Sequence, residues 1–450
     1  MNKQQRLVLI VSILASFVAF LDGSVINVAL PAIARELGGG LVAQQWVVDA
    51  YLLTLGSFIL IAGSLSDLFG RKKVLAAGLV GFGIASVLCA VAPTSTFLIV
   101  ARALQGVAGA LLVPSSLALI IATFSGPGQG KAIGTWTAWT GIAFVVGPLL
   151  GGFLVDVSSW RLVFAINIIP IAITLWLMRL LRQPEVRKHA HVDVVGAILC
   201  ALGLAGPVYA LIEQPHFGWS SPFVYVPLVS GVAALVYFLW HEHRTAYPML
   251  PLALFGVRNF SVGNIATVAI YAGLSVATFL IAVFIQQVGG YSALGAGLAL
   301  LPITGVMFIL APRFGALAGK YGPRFFMAVG PIVGGTGFLL MLRVDQTVAY
   351  WTRLLPGVLV FALGLAMTVA PLTTAILGSI DKGHAGIGSA VNNAVSRIAG
   401  LLAIAGVGVV TGANLNVAGF HRGLIMTAGL LIAGGVISAI GIQNQNRALK

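Results

Sequence analysis

Acidic side chains are the scarcest chemistry in this sequence. Asp and Glu together number 11 in 450 residues, and all charged residues make up 8%, against about 25% in an ordinary soluble domain. That shortage excludes a solvated globular surface. Cysteine is almost missing as well: Cys89 and Cys200 are the two present, each inside an apolar run and without CxxC spacing. They carry no information about redox compartment and read as packing residues. The seven histidines fall in loops or near the ends of apolar runs. His189-Ala-His191 and His241-Glu-His243 lack a supporting ligand set, so no metal is expected. The glycine-rich stretch Gly126–Ala132 lacks the spacing and the final Ser/Thr of a phosphate-binding loop, so no nucleotide cofactor is expected either. A polytopic membrane enzyme should cluster His, Asp and Glu near one interface, and no such cluster is visible.

What the chain has in abundance is apolar surface. Hydrophobic residues make up 59% of it, with 56 glycines, and the mean hydropathy is +1.03. Glycine is more frequent in membrane helices than in soluble ones. A bilayer core takes about 20 apolar residues per helix, and on that measure the sequence divides into fourteen spans running from about residue 7 to about residue 442. The first is not a cleavable signal: its apolar run covers about 24 residues and carries Asp22, whereas a signal core is roughly 7–15 residues.

The net charge of +14 does not indicate nucleic acid, because no basic patch with interleaved aromatics occurs. The cations lie in short loops. With a cytoplasmic N-terminus, eighteen of the 25 Lys and Arg fall on the inner side and four on the outer, while Arg102, Arg353 and Arg397 sit inside apolar runs. The positive-inside bias places both termini in the cytoplasm.

The chain also repeats itself. Gly63–Lys73 returns in weaker form as Gly315–Arg324, 252 positions on; Arg102-Ala-Leu-Gln-Gly106 returns as Arg353-Leu-Leu-Pro-Gly357, and Lys131 as Lys382, each 251 positions on. Spans 1–6 therefore map onto spans 9–14 and leave a central pair without counterpart. The expected architecture is an all-α polytopic membrane protein with a six-helix bundle over 1–185, inserted helices 7 and 8 with linkers over 186–250, and a second six-helix bundle over 251–450. Substrate sites in such repeats lie near the membrane midplane where the halves meet.

Charges buried in apolar runs are the first functional candidates. An ionised carboxylate at Asp22 costs at least about 2.5–3.5 kcal/mol in the bilayer, so it is protonated or paired. It reads as a proton-loading group or as a structural hydrogen bond between helices. Counting from the outer helix ends at 1.5 Å per residue puts Asp22, Arg102 and Asp49 at depths of about 12, 9 and 6 Å, which suggests one polar cluster. Arg102 could instead bond backbone carbonyls, and Asp49 could reach the outer interface. Arg397 is embedded without an evident acid in its half. Gly63, Asp67, Gly70 and Arg71 form a tight inner turn that suits a conformational latch as well as a topology anchor. In span 5, Gly141, Gly147, Pro148, Gly151 and Gly152 combine a small-xxx-small contact with a missing backbone donor. That reads as packing or as a bending, sealing helix. Trp136 and Trp139 on the same span could line a pocket or belong to an interfacial belt.

These residues together resemble the major facilitator superfamily, and within it the fourteen-helix drug:proton antiporters. Leu21-Asp22-Gly-Ser-Val-Ile-Asn27-Val-Ala-Leu-Pro31 resembles that group's helix 1 motif. Gly63–Lys73 resembles the superfamily's loop 2–3 motif, Arg102–Gly109 its helix 4 motif, and Gly141–Gly152 the helix 5 motif associated with antiporters. Trp160–Asn167, Asn392-Asn393 and the Gln286-Gln287…Gly290-Tyr291 turn are further matches.

The resemblance implies a major facilitator fold and proton-coupling roles for Asp22 and Arg102. It implies a substrate cavity drawing on Asn27, Gln286 and Asn392, with Trp136, Trp139 and Arg397 as further candidates. The expected function is export of amphipathic or cationic drugs across the cytoplasmic membrane by alternating access; the alternative is a proton-linked exporter of one endogenous metabolite, lipid or siderophore. The expected partners are the lipid bilayer, protons and a small substrate, with no nucleic acid, no cofactor and a monomeric state.

Overall fold

In hydrocarbon every backbone N–H and C=O must be satisfied within the protein, so apolar runs of this length fold as helices. The computed structural model describes residues 1–124, 127–181, 192–380, 385–412 and 415–444, without the side chains of residues 67, 127, 130, 145, 385 and 386. The expected boundary at 185–186, the cations Arg182, Arg187, Lys188, Lys382, Arg447 and Lys450, and His189-Ala-His191 lie outside the described residues.

Among the described residues, fourteen helices are long and apolar enough to cross a membrane: α1 Lys3–Leu37, α2 Gly40–Ser66, α3 Arg71–Ala90, α4 Ser95–Thr123, α5 Lys131–Val157, α6 Arg161–Arg179, α7 Val194–Phe217, α8 Pro222–Arg244, α9 Arg258–Gln287, α10 Ala293–Tyr321, α11 Arg324–Arg343, α12 Tyr350–Leu377, α13 Ile387–Thr411 and α14 Val417–Gly441. The number matches the sequence expectation; the ends and continuity differ. α1 begins earlier because Asn2 and Gln5 close a capping box, each side chain accepting from the other's backbone N–H at 2.8 and 3.0 Å. α4 is broken at Leu111, one turn before Pro114, whose missing N–H frees the carbonyl four residues back. α12 opens with a π turn over Tyr350–Leu354 before its α-helical body.

Two units group the chain: Met1–Glu213, Trp219–Met249 and Ser292–Gly297 form the first, and Gln214–Gly218, Leu250–Tyr291 and Leu298–Lys450 the second. In the first, α1 packs on α5, α2 on α4, and α3 on α4 and α6. The second repeats three of these four pairings, with α9 on α13 and α11 on α12 and α14. The inserted α7 is tied to α2 by Trp46, whose indole donates to Glu213 at 3.0 Å and whose ring lies 6.0 Å from that of Tyr209. α8 is peripheral: 17% of its apolar window is buried, against 67% for α1.

The turns after α2 and α10 repeat as well. Gly70 and Gly322 take φ of +95° and +89°, which only glycine adopts without strain. Two residues on, Lys72 Nζ donates to the Leu181 carbonyl at 2.7 Å and Arg324 Nη2 to the Ala439 carbonyl at 2.7 Å. Each cation thus serves the carbonyl end of the sixth helix of its own repeat, where a positive charge is favoured.

Candidate functional site

Near the middle of α1, four side chains from three other helices close round one carboxylate. Asp22 Oδ2 accepts from Arg102 Nη1 at 2.5 Å, and Oδ1 accepts from Gln105 Nε2 and Asn167 Nδ2, both at 2.9 Å. Arg102 Nη1 also donates to Gln105 Oε1 at 2.6 Å, and its Nε to the Val47 carbonyl on α2 at 3.0 Å. Ser86 Oγ on α3 accepts from Gln105 Nε2 at 3.0 Å. Asp22, Ser86, Arg102, Gln105 and Asn167 are all 0% exposed. The Tyr51 ring lies 4.2 Å from the Arg102 guanidinium carbon and the Phe164 ring 5.8 Å, so aromatic faces take the cation where carboxylate and carbonyl do not.

Local sequence explains why this closes. A side chain at Gly106 would overlap the Tyr51 carbonyl and Thr54 Oγ1, and one at Gly109 would crowd the Tyr51 ring. Glycines in the Arg102–Gly109 stretch therefore let α4 approach α2 until Tyr51 covers Arg102. Thr54 Oγ1 seals that approach by donating to the Ala103 carbonyl at 2.8 Å. At the C-terminal end of α1, Trp160 Nε1 and Arg161 Nη1 both donate to Glu36, at 2.6 and 2.5 Å. That clamp sets the start of α6 against the end of α1, and six residues on it delivers Asn167 to Asp22.

The structure brings Asp22 and Arg102 together and leaves Asp49 out. Asp49 is 0% exposed, yet neither carboxylate oxygen has a hydrogen-bond partner. The reason is rotational: Val47 and Tyr51 turn toward Arg102, and Asp49, two residues from each, points about 200° away round α2. Equal depth did not mean a shared face. α1 also runs on to Leu37, so Asp22 lies fifteen residues from its outer end, about 22 Å along the axis rather than 12 Å.

The α5 glycines serve α1. Side chains at Gly147 and Gly151 would overlap Ser24 Oγ and the Val25 side chain, whereas one at Gly141 meets nothing within 4 Å. Ser24 Oγ donates to the Ala143 carbonyl at 2.9 Å, and α5 lies against α1 two residues beyond Asp22. Further out, a side chain at Gly152 would lie 2.5 Å from Leu294 Cα. There Asp156 accepts from the Ala293 and Leu294 N–H at 3.0 and 2.9 Å, within the part of α10 that belongs to the first unit.

Trp136 is 9% exposed and donates to Ser16 Oγ on α1 at 3.1 Å, while Trp139 is 54% exposed. Trp136 is therefore a packing residue and Trp139 an outward one, since three residues carry a side chain about 60° round a helix and off its inner face. Asn27 is half-buried on α1. In the second unit Asn392 Nδ2 donates to Asn264 Oδ1 and Thr267 Oγ1 at 3.1 and 2.9 Å, and Gln286 Nε2 to the Ala282 carbonyl at 3.1 Å. Arg397 is half-buried and within electrostatic reach of Tyr271. At the turn between α2 and α3, Gly63 has open space beside it, Arg71 is half-buried, and the Asp67 side chain lies outside the described residues. His241 Nε2 lies 3.0 Å from Asp193 Oδ1.

Sequence reasoning missed Ser86, Gln105 and Asn167. Gln105 carried a signal, since a residue three on from Arg102 shares its helix face; the other two stand far from any charge in sequence.

Comparison with known proteins agrees with the fold. The model of the Major Facilitator Superfamily matches residues 12–197 and 194–404. The methylenomycin A resistance protein of Bacillus subtilis is 35% identical over 414 residues, 90% of this chain and 87% of its own. The puromycin resistance protein of Streptomyces alboniger is 34% identical over 88% of this chain and 80% of its own. The multidrug resistance protein Stp of Mycobacterium tuberculosis is 33% identical over 92% and 78%. Among solved structures, the peptide transporter POT in complex with sulfate aligns at TM-score 0.70 and 15% identity, covering 97% of this chain and 94% of its own. The inward-open xylose transporter XylE from E. coli aligns at 0.67 and 14%, covering 98% and 97%. At these identities the likeness is one of fold.

Proposed function

Because the chain belongs to the major facilitator superfamily, and is thus a multi-pass membrane transporter rather than an enzyme, we propose that it exports amphipathic or cationic drugs in exchange for protons. Alternating access across the cytoplasmic membrane, both termini inside, a monomeric working unit and the division into 1–185, 186–250 and 251–450 belong to the same reading. So do the latch at Gly63, Asp67, Gly70 and Arg71 and the α5 glycines as a packing hinge.

One observation carries the reading: Asp22 and Arg102 form an ion pair with both side chains wholly shielded from solvent. Burying two charges costs several kcal/mol per ion, and an apolar pair of similar volume packs as well or better. A transporter gains from it because protonation of Asp22 frees Arg102 and changes which helix arrangement is favoured. One proton entering down about 100 mV and one pH unit supplies roughly 3.7 kcal/mol, enough for about a 500-fold substrate gradient.

The relatives' names support drugs as cargo. Two of them name a single antibiotic, methylenomycin A and puromycin, which favours a narrow exporter of one compound as the second reading.

Purified protein in liposomes with an imposed pH gradient tests the proposal. Asp22→Asn is expected to abolish gradient-driven uptake of ethidium while the protein still folds; undiminished coupled uptake overturns the role of Asp22. A panel of cationic and neutral antibiotics in the same vesicles separates broad from narrow cargo.

A further inference from the structure

The hydrogen bonds round Asp22 suit only one of its two protonation states. As a carboxylate it accepts three bonds, from Arg102, Gln105 and Asn167. As a carboxylic acid it brings a new O–H donor into a group of donors. Gln105 Oε1 already accepts from Arg102 at 2.6 Å, and the Val47 carbonyl from Arg102 at 3.0 Å. Each of these oxygens already has a donor, whereas one acceptor in the cluster has none. Asn167 Oδ1 is buried and has no hydrogen-bond partner, and it belongs to the same amide whose nitrogen holds Asp22. The other charged or titratable groups round the pair are Cys89 from α3, whose Sγ lies 3.7 Å from Gln105 Oε1, and Tyr51 from α2 over Arg102. From α6 the described residues bring the Asn167 amide and the Phe164 ring to the pair.

We propose that Asn167 is the positioning residue that lets Asp22 take up and give up its proton in place, donating through Nδ2 to the carboxylate and, turned over about χ2, accepting through Oδ1 from the carboxylic acid. The two ends of a side-chain amide are nearly equal in size, so the turn needs no repacking. The step balances: a proton bonds to Asp22 Oδ1, the N–H···O bond from Asn167 is given up, and an O–H···O bond to Asn167 replaces it. Ser86 Oγ, which lies 3.4 Å from Asn167 Nδ2 in the carboxylate arrangement, can then donate to the turned Oδ1. Arg102 Nη2 has no hydrogen-bond partner even beside the carboxylate. The proton itself comes from and returns to water when alternating access opens the cluster, and the turning amide leaves the carboxyl hydrogen-bonded in both charge states.

This inference rests on the proton-coupled reading, and the experiment separates the two. Infrared difference spectra between acid and alkaline liposomes, with asparagine side chains labelled at the amide carbon, follow both groups at once. The expected result is a carboxylic-acid band that vanishes in Asp22→Asn, together with a paired shift of an amide band that vanishes in both Asn167→Leu and Asp22→Asn. Coupled ethidium transport by Asn167→Leu is expected to fall about tenfold, the loss of one hydrogen bond to a charged group. If Asn167→Leu does not fold, the near-isosteric Asn167→Asp serves, with the amide pair lost and a second carboxylic-acid band in its place. A carboxylic-acid band from Asp22 without any Asn167-dependent amide pair overturns the inference and leaves coupling intact; absence of the Asp22 band overturns the coupling reading itself.

Discussion

Arg102 and Arg353 stand at matching places in the two repeats, 251 positions apart, and end in opposite surroundings. Arg102 and its partner Asp22 are 0% exposed, and the partner comes from another membrane helix. Arg353 and its partner Asp345 are 41% and 45% exposed, and the partner lies eight residues back in the preceding loop. The same offset explains the divergence. Where the first repeat has Asp22, Ser86, Gln105 and Asn167, the second has Gly273, Gly337, Pro356 and Ala418. Without a carboxylate on α9 there is nothing to hold an arginine inside. Pro356 also starts the α-helical body of α12 just beyond Arg353, which is left in the π turn at the entrance. What repeats is scaffold: the glycine turns at 70 and 322, the capping cations at 72 and 324, and the close-packing glycines at 106 and 357. The polar cluster was built, or kept, on one side only.

The largest way to break this comparison is to remove each arginine. Arg102→Ala strands a buried carboxylate, and the loss of one partner from a buried pair costs about 3–5 kcal/mol. Arg353→Ala removes an exposed pair, whose contribution is small. Melting curves in detergent should show a large drop for the first and nearly the wild-type temperature for the second. Equal drops for the two would mean that burial does not separate them.

A sharper test uses the paired glycines, where the stability costs should match and the functional costs should not. A methyl at Gly106 overlaps the Tyr51 carbonyl, and one at Gly357 presses on the Gly337 carbonyl and the Met341 side chain. Each overpacking is expected to cost about 1–3 kcal/mol. Only Gly106→Ala also lifts Tyr51 from Arg102, so ethidium transport per folded molecule should fall in that variant and stay near wild type in Gly357→Ala.

How much of this could be read from residues alone follows from what kind of signal each feature leaves. Fourteen spans and two repeats were legible because hydropathy and offset are properties of long stretches that no single residue decides. Asp22 and Arg102 were legible because a charge in an apolar run has few innocent explanations. The rotational phase of α2 was not. With apolar residues on every face, nothing along 40–66 says that Val47 and Tyr51 turn inward while Asp49 turns elsewhere. The same ambiguity left Trp136 and Trp139 open as pocket residues, and α5 turned one against α1 and the other outward. Ser86 and Asn167 were hidden for another reason. Uncharged polar residues are common in membrane helices, and contacts such as 22 with 167 join positions 145 apart. Asn167 did stand in a stretch that resembled the family, but the resemblance carried no role for it.

The smallest expected effect lies on the exposed side of the comparison, and its pH dependence has a definite sign. The Thr347 hydroxyl, followed by the Arg353 guanidinium and the Thr347 N–H, holds the Asp345 carboxyl below the usual carboxylate range. Asp345 therefore binds its proton less tightly folded than unfolded, and it contributes stability that is present above the ordinary carboxylate value. That contribution is lost as pH falls through the lowered one. Asp345→Asn should melt slightly below wild type at neutral pH, and the two curves should converge in acid. Thr347→Val and Arg353→Ala should each reproduce part of the neutral-pH difference, because the Thr347 hydroxyl and then the Arg353 guanidinium both lower the carboxyl. Ethidium transport should be unchanged in all three variants. A transport defect in Asp345→Asn would mean that the second repeat's ion pair does more than brace a loop, and the asymmetry between the two arginines would then be one of exposure without being one of function.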